Sequence, residues 1–182
     1  MSQPSPTALP LTIRPSTDAD LAAIQAIYAW AVLEGTGTFE TEVPTIEDMG
    51  RRRTEVLGRH LPWLVAERSG EVLGYAYANY FRPRMAYRFC VEDSIYLSPA
   101  AQGQGVGRLL LAELIARCEA AGARQMLAVI GDAANAGSVG VHTALGFEHT
   151  GVLKSAGWKF GRWLDVVLMQ RTLGLGDSAA AE

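Results

Sequence analysis

Residues 91–111, Val-Glu-Asp-Ser-Ile-Tyr-Leu-Ser-Pro-Ala-Ala-Gln-Gly-Gln-Gly-Val-Gly-Arg-Leu-Leu-Leu, constrain the fold more than any other stretch. Their order predicts a strand, a tight loop and a helix. Gly103, Gly105 and Gly107 lack a Cβ, so several N–H groups can turn toward one anion. The helix that starts there adds the positive end of its dipole. The loop therefore suits a pyrophosphate held by backbone amides. Two familiar nucleotide patterns fail. No Lys-Ser/Thr follows the glycines as in a P-loop, and Arg108 stands where a dinucleotide fingerprint counted from Gly103 needs its third glycine. What remains is Gln102-x-x-Gly105-x-Gly107.

The rest of the chain places this unit in a larger sheet. Residues 11–14 read as a short strand, and Asp18 or Thr17 caps a helix whose apolar face is Leu21, Ile24, Ile27, Tyr28, Ala31 and Val32. Gly35 ends it, and 36–45 is a loop. Thr45 N-caps a second helix to about Gly58. Residues 63–67 and 72–80 form a hairpin around Ser69-Gly70, the segment around Arg82-Pro83-Arg84 connects, and 93–97 is a further strand. A helix over 106–121 stops at Gly122, 126–130 is a buried strand, 135–145 is a helix, and strands near 148–153 and 162–170 complete the sheet. The expected class is α/β (α+β), with a mixed, mostly antiparallel sheet of about seven strands flanked by about four helices. Residues 1–10 read as a disordered leader, 11–173 as one domain and 174–182 as a flexible tail.

At 182 residues and 49% hydrophobic, the chain suffices for one core. Lys and Arg total 16 against 19 acidic residues, which gives no general attraction to nucleic acid or anionic membrane. Arg51-Arg52-Arg53 reads as the solvated face of a helix. Cys90 and Cys118 have no metal-ligand spacing, no metal is expected, and neither thiol reads as a nucleophile. Two cysteines in a chain this size fit a reduced cytoplasmic protein. No segment reads as a signal peptide or a membrane span.

Gln102-x-x-Gly105-x-Gly107 resembles the acetyl-CoA loop of GNAT acetyltransferases. The likeness extends to Asn135, His142 and Leu145-Gly146-Phe147, where many members carry Asn, a Tyr seven residues on, and Gly-Phe; His142 holds the Tyr position. With Pro62-Trp-Leu-Val-Ala-Glu67, Gly70-Glu-Val-x-Gly74, Val91-Glu-Asp-Ser94 and Gly157-Trp-Lys-Phe-Gly-Arg-Trp-Leu-Asp165, the chain resembles the phosphinothricin and methionine sulfoximine N-acetyltransferases over about residues 13–173. The resemblance implies the GNAT fold and acetyl transfer from acetyl-CoA to the α-amino group of a small amino-acid analogue. It also implies direct attack in a ternary complex, detoxification of the analogue, and a homodimer.

An amine attacking a thioester must first lose a proton, so a carboxylate beside the loop with a pKa raised by burial suits the base. Glu92 holds the family's position for it; the bland alternative is a surface ion-pair partner. His142 shares a helix face with Asn135, and its imidazole is an acid or base candidate, against a satisfied core histidine. Asn135 offers donor and acceptor to pantetheine amides, or simply caps the helix. By resemblance, the backbone of Ile95, Tyr96 and Leu97 serves the acetyl carbonyl and pantetheine. Gln102, Gly103, Gln104, Gly105, Val106, Gly107 and Arg108 take the pyrophosphate. A phosphinate, sulfoximine or sulfone amino acid needs cationic or amide donors, which makes Arg82 and Arg84, flanking Pro83, substrate candidates. Phe39, Asp93 and Ser94 join them. The motif around Lys159, Phe160 and Trp163 fits pocket wall, dimer contact or sheet packing equally. Two other readings stay open: acetylation of another amine, such as a polyamine or a protein N-terminus, and a non-catalytic acetyl-CoA sensor.

Overall fold

A computed structural model describes residues 10–181. The expected leader falls almost entirely on residues 1–9, outside the described residues. Along the chain run β1 (Thr12–Pro15), α1 (Leu21–Leu33), α2 (Ile46–Gly58), β2 (Trp63–Arg68), β3 (Glu71–Tyr80) and β4 (Cys90–Leu97). Then come α3 (Val106–Ala120), β5 (Gln125–Gly131), α4 (Ala136–Ala144), β6 (Glu148–Lys159) and β7 (Arg162–Thr172). The sheet order is β1-β2-β3-β4-β5-β7-β6. Every neighbouring pair is antiparallel except β4 and β5, whose crossover is α3. This is the mixed seven-stranded, four-helix α/β architecture that the periodicity and turns predicted.

Local signals explain most boundaries. Thr45 caps α2 through a reciprocal box, its hydroxyl accepting from the Asp48 amide at 3.1 Å and its own amide donating to the Asp48 carboxylate at 3.0 Å. The start of α1 differs from expectation. Thr17 heads a single 3-10 turn, Asp18–Asp20, and the α-helix begins at Leu21, because the Asp20 carboxylate is drawn to Arg14 at 2.8 Å and to the Thr17 amide at 2.7 Å. β4 starts at Cys90 rather than at 93, since residues 90–93 pair in parallel with β5. The largest correction is β6, expected to stop near 153. It continues to Lys159 across register breaks at His149/Gly151 and Leu153/Gly157, which erase the two-residue alternation.

Alternation along β4 assigns the two faces of the sheet. Tyr96 packs edge-on against Tyr28 of α1, so the Glu92, Ser94 and Tyr96 side faces α1 and α2. The Asp93, Ile95 and Leu97 side faces α3 and α4: Gly107 lies under Leu97 and Ile95, and Asp93 meets His142. Leu110, Leu111 and Leu114 of α3 are fully buried on that side. Each such side chain contributes about 1.5–3 kcal/mol, so α3 is held firmly with its N-terminus at the end of β4. No helix among the described residues is long and apolar enough to cross a membrane.

Candidate active site

β4 and β5 pair only as far as Asp93 with Ala128. Beyond that point β4 follows β3 to Leu97 and β5 follows β7 to Gly131, so the two parallel strands part. The opening is a cavity of about 640 Å³, in the range of small-molecule sites. Its walls are Glu92 to Leu97 of β4, Ala128 to Gly131 of β5, the glycine loop, α4, and the segment from Gly35 to Phe39 after α1. The β4 edge facing β5 from Ser94 onward makes no strand pairing there, which leaves its backbone amides and carbonyls available to a ligand.

The glycine loop stands at one end of this opening. Gly103 and Gly105 have φ of 71° and 79°, which L side chains resist, while an added Cβ at either would meet nothing within 4 Å. These glycines serve backbone conformation rather than packing. Gly105 is the N-cap of α3 and offers no side-chain cap, so the first amides of the helix are not taken by a cap. Gln102, Gly103 and Gly107 line the cavity. The Val106 side chain is buried in the core, and the Arg108 side chain is exposed. Gln104 donates to the Ala100 carbonyl and accepts from Arg68. The unpaired β4 edge and the uncapped loop fit a pantetheine–pyrophosphate chain, with Asn135 and Val141 of α4 opposite.

Glu92 and Asp93, adjacent in sequence, reach the cavity from opposite faces of the sheet. Burial raises the pKa of Glu92, the Asp93 charge raises it further, and the Arg82 charge opposes both. Asp93 and His142 form a buried pair, each side chain 2% exposed, with Nε2 and Oδ2 3.0 Å apart. His142 Nδ1 lies 2.7 Å from the Ser138 carbonyl, which only accepts, so Nδ1 carries a proton. The Asp93 carboxylate beside Nε2 favours the protonated ring. Burial lowers the His142 pKa, but the Asp93 bond and charge and the Ser138 carbonyl outweigh it, leaving the net shift upward. Asp93 Oδ1 is buried without a hydrogen-bond partner.

Not every anticipated residue meets here. Phe39, Ser94, Ile95, Tyr96, Leu97 and Asn135 line the cavity; Arg82, Pro83 and Arg84 do not, and all three are exposed on the connection between β3 and β4. Arg82 stacks over Phe81, 4.3 Å from its ring centre. Asn135 also caps α4, its side chain accepting from the Ser138 amide at 3.1 Å. Burial pushes the Cys118 thiol up to about 12 and raises Cys90, so neither is a thiolate near neutrality. Among the described residues no group of three or more His, Cys, Asp or Glu could hold a metal ion. The sequence reading missed the wall formed by 35–38, by the β5 residues from Ala128 to Gly131, and by Asp132 after them. Gly131, a lone glycine in a strand, was the available signal: a Cβ there would strike the Thr36 carbonyl.

Known proteins share this construction. A family profile described as acetyltransferase (GNAT) matches residues 24–147. A phosphinothricin N-acetyltransferase from Alcaligenes faecalis is 56% identical over 94% of this chain and 87% of its own. An L-methionine sulfoximine/L-methionine sulfone acetyltransferase from Salmonella typhimurium is 39% identical over 94% of this chain and 99% of its own. The crystal structure of a GNAT phosphinothricin acetyltransferase from Sinorhizobium meliloti, in complex with acetyl-CoA, superposes with a TM-score of 0.92 at 48% identity, covering 94% of this chain and 93% of the other. With a parted β4–β5 pair, a glycine loop opening α3 and full-length relatives of one kind, the chain belongs to the GNAT family of acetyltransferases.

Proposed function

We propose that this enzyme acetylates the α-amino group of a small amino acid bearing a polar phosphorus or sulfur head, of the phosphinothricin, methionine sulfoximine or methionine sulfone type, and so detoxifies it. The observation that carries the reading is the cavity with Glu92 and Ser94 on one face and the glycine loop and α4 on the other. Acetyl-CoA supplies an activated acetyl thioester. The amides of 103–107 would hold its pyrophosphate, and the β4 edge with Asn135 its pantetheine arm. Glu92 takes a proton from the ammonium group, its raised pKa suiting that task. The freed amine attacks the thioester carbon directly in a ternary complex while a β4 amide near Ile95 to Leu97 stabilises the developing oxyanion; the C–S bond then breaks, and CoA leaves as a thiolate that takes up the second proton shed by the acetylated nitrogen. His142 is the cavity's other proton carrier. Because Asp93 occupies Nε2, the ring exchanges a proton there only by releasing Asp93, which therefore governs how readily the proton moves. Phe39 and Ser94 border the amine. Arg82 and Arg84 supply cations to the carboxylate or oxygen-rich head when the β3–β4 connection folds inward.

We further propose a cytoplasmic homodimer formed through the last hairpin. Trp158, Phe160 and Trp163 are each more than half exposed, on or beside an edge strand, where a monomer would present an aromatic patch to water. The free Cys90 and Cys118 fit a reducing compartment. The test is CoA thiol release from acetyl-CoA with a panel of methionine sulfoximine, methionine sulfone, phosphinothricin, a polyamine and a peptide N-terminus, run alongside light scattering. Release confined to the first three, from a species of twice 19.6 kDa, is the expected outcome. A polyamine or peptide as the preferred substrate would overturn the substrate reading. No release with any amine would leave an acetyl-CoA sensor.

A further inference from the structure

Lys159 is a charged side chain that the chemistry above does not use, and it is 4% exposed. Among the described residues no carboxylate lies within ion-pair distance of it. Its Nζ donates to the carbonyls of Gly35 and Thr38 at 2.8 Å each and of Ala31 at 3.5 Å. Ala31 lies in the last turn of α1 and Gly35 follows its end, so the ammonium caps the negative end of the α1 dipole from a distant strand. A buried cation whose hydrogen bonds all go to carbonyls, with the Phe160 ring centre 5.0 Å away, stays where it is only while those carbonyls hold still. Two residues earlier, Gly157 meets the same segment from the side. A Cβ at Gly157 would come within 2.7 Å of Phe39 Cζ and closer to two other ring atoms. Thr36, Gly37, Thr38 and Phe39 are all cavity wall.

We propose that Lys159 is a positioning residue for the amine pocket: with the Phe39 seat at Gly157, it fixes segment 35–39 as the wall against which the amine is presented to Glu92. Lys159 touches neither amine nor acetyl-CoA; it acts through Thr38 and Phe39. The inference rests on the acetyl-transfer reading for its kinetic consequence alone, because the pinning itself is measurable in the free protein.

The test uses Lys159→Met, which keeps the length of the stem and removes the charge. Amide hydrogen exchange is followed at Gly35 and Glu40, which donate to the Ala31 carbonyl and the Thr38 hydroxyl. Exchange at these two accelerates about tenfold or more, as expected for lost charge-assisted hydrogen bonds, while β7 is unchanged. In steady-state assays with methionine sulfone, the KM for the amine rises about tenfold while that for acetyl-CoA stays within about twofold. Unchanged exchange, or equal shifts in both KM values, overturns the proposal. Should the wild type fail to acetylate methionine sulfone, the substrate reading falls and exchange alone decides the role of Lys159. Should Lys159→Met not fold, Gly157→Ala keeps the ammonium and displaces Phe39. The same KM split then supports the pinned wall, and an unaltered amine KM refutes it.

Discussion

Asp93→Ala removes the carboxylate that is hydrogen-bonded to the buried His142 ring. With both side chains 2% exposed and 3.0 Å apart, the loss leaves His142 Nε2–H without an acceptor in a dry site. Breaking such a pair from one side costs about 3–5 kcal/mol. In a chain of 182 residues, where 1 kcal/mol moves Tm by roughly 2–4 °C, the melting temperature falls by about 6–20 °C. The pH dependence is the sharper readout. In the wild type the His142 pKa is raised above its ordinary 6.5. Its contribution to stability is therefore complete below the unfolded value of 6.5 and is lost as pH climbs through the higher folded value. Without Asp93 only burial remains as a major influence, so the folded pKa drops below 6.5 and stability rises with pH through that window. Asp93→Asn preserves a hydrogen-bonding group while removing the charge, so it falls between the two and flattens the profile. Scanning calorimetry between about pH 5.5 and 8.5 separates these outcomes. A Tm within about 2 °C of wild type with an unchanged pH slope would show that His142 is neutral and the pair an ordinary hydrogen bond.

Two predictions concern the chemistry and the loop. Glu92→Gln lowers kcat by about 100- to 10,000-fold without weakening acetyl-CoA binding. Wild-type turnover rises with pH through a limb above the ordinary carboxylate value of 4.5, because Glu92 acts deprotonated and burial raises its pKa. Full turnover by the Gln variant at saturating substrate would remove Glu92 from the role of base. Gly105→Ala places a Cβ at φ of 79° and costs about 1–2 kcal/mol locally. Its effect is a roughly five- to thirtyfold higher KM for acetyl-CoA with the amine KM unmoved. An increase in the amine KM alone would contradict the pyrophosphate assignment.

The glycine loop, the strand before it and the helix after it were legible because their signals are local. Glycine spacing, a leucine row at helical period and a capping Thr45 each act within a few residues. The family resemblance pointed to Glu92, Asn135 and Phe39, all of which the fold brings to one cavity. Arg82 and Arg84 came from the charge of an expected substrate, and the fold leaves them on an exposed connection. The full length of β6 was hidden because two register breaks interrupt its alternation.

By itself, then, the sequence determined the elements, their order and the glycine loop, since these follow from backbone preference and periodicity. Tertiary structure alone decided where β4 and β5 part, and so where a cavity exists. It also decided that Asp93 and His142, 49 residues apart, form a buried hydrogen-bonded pair, and that Lys159 reaches back across the chain to Gly35, 124 residues away. Those choices depend on which strands are neighbours and on which charges lose their water together. No short stretch of residues encodes either.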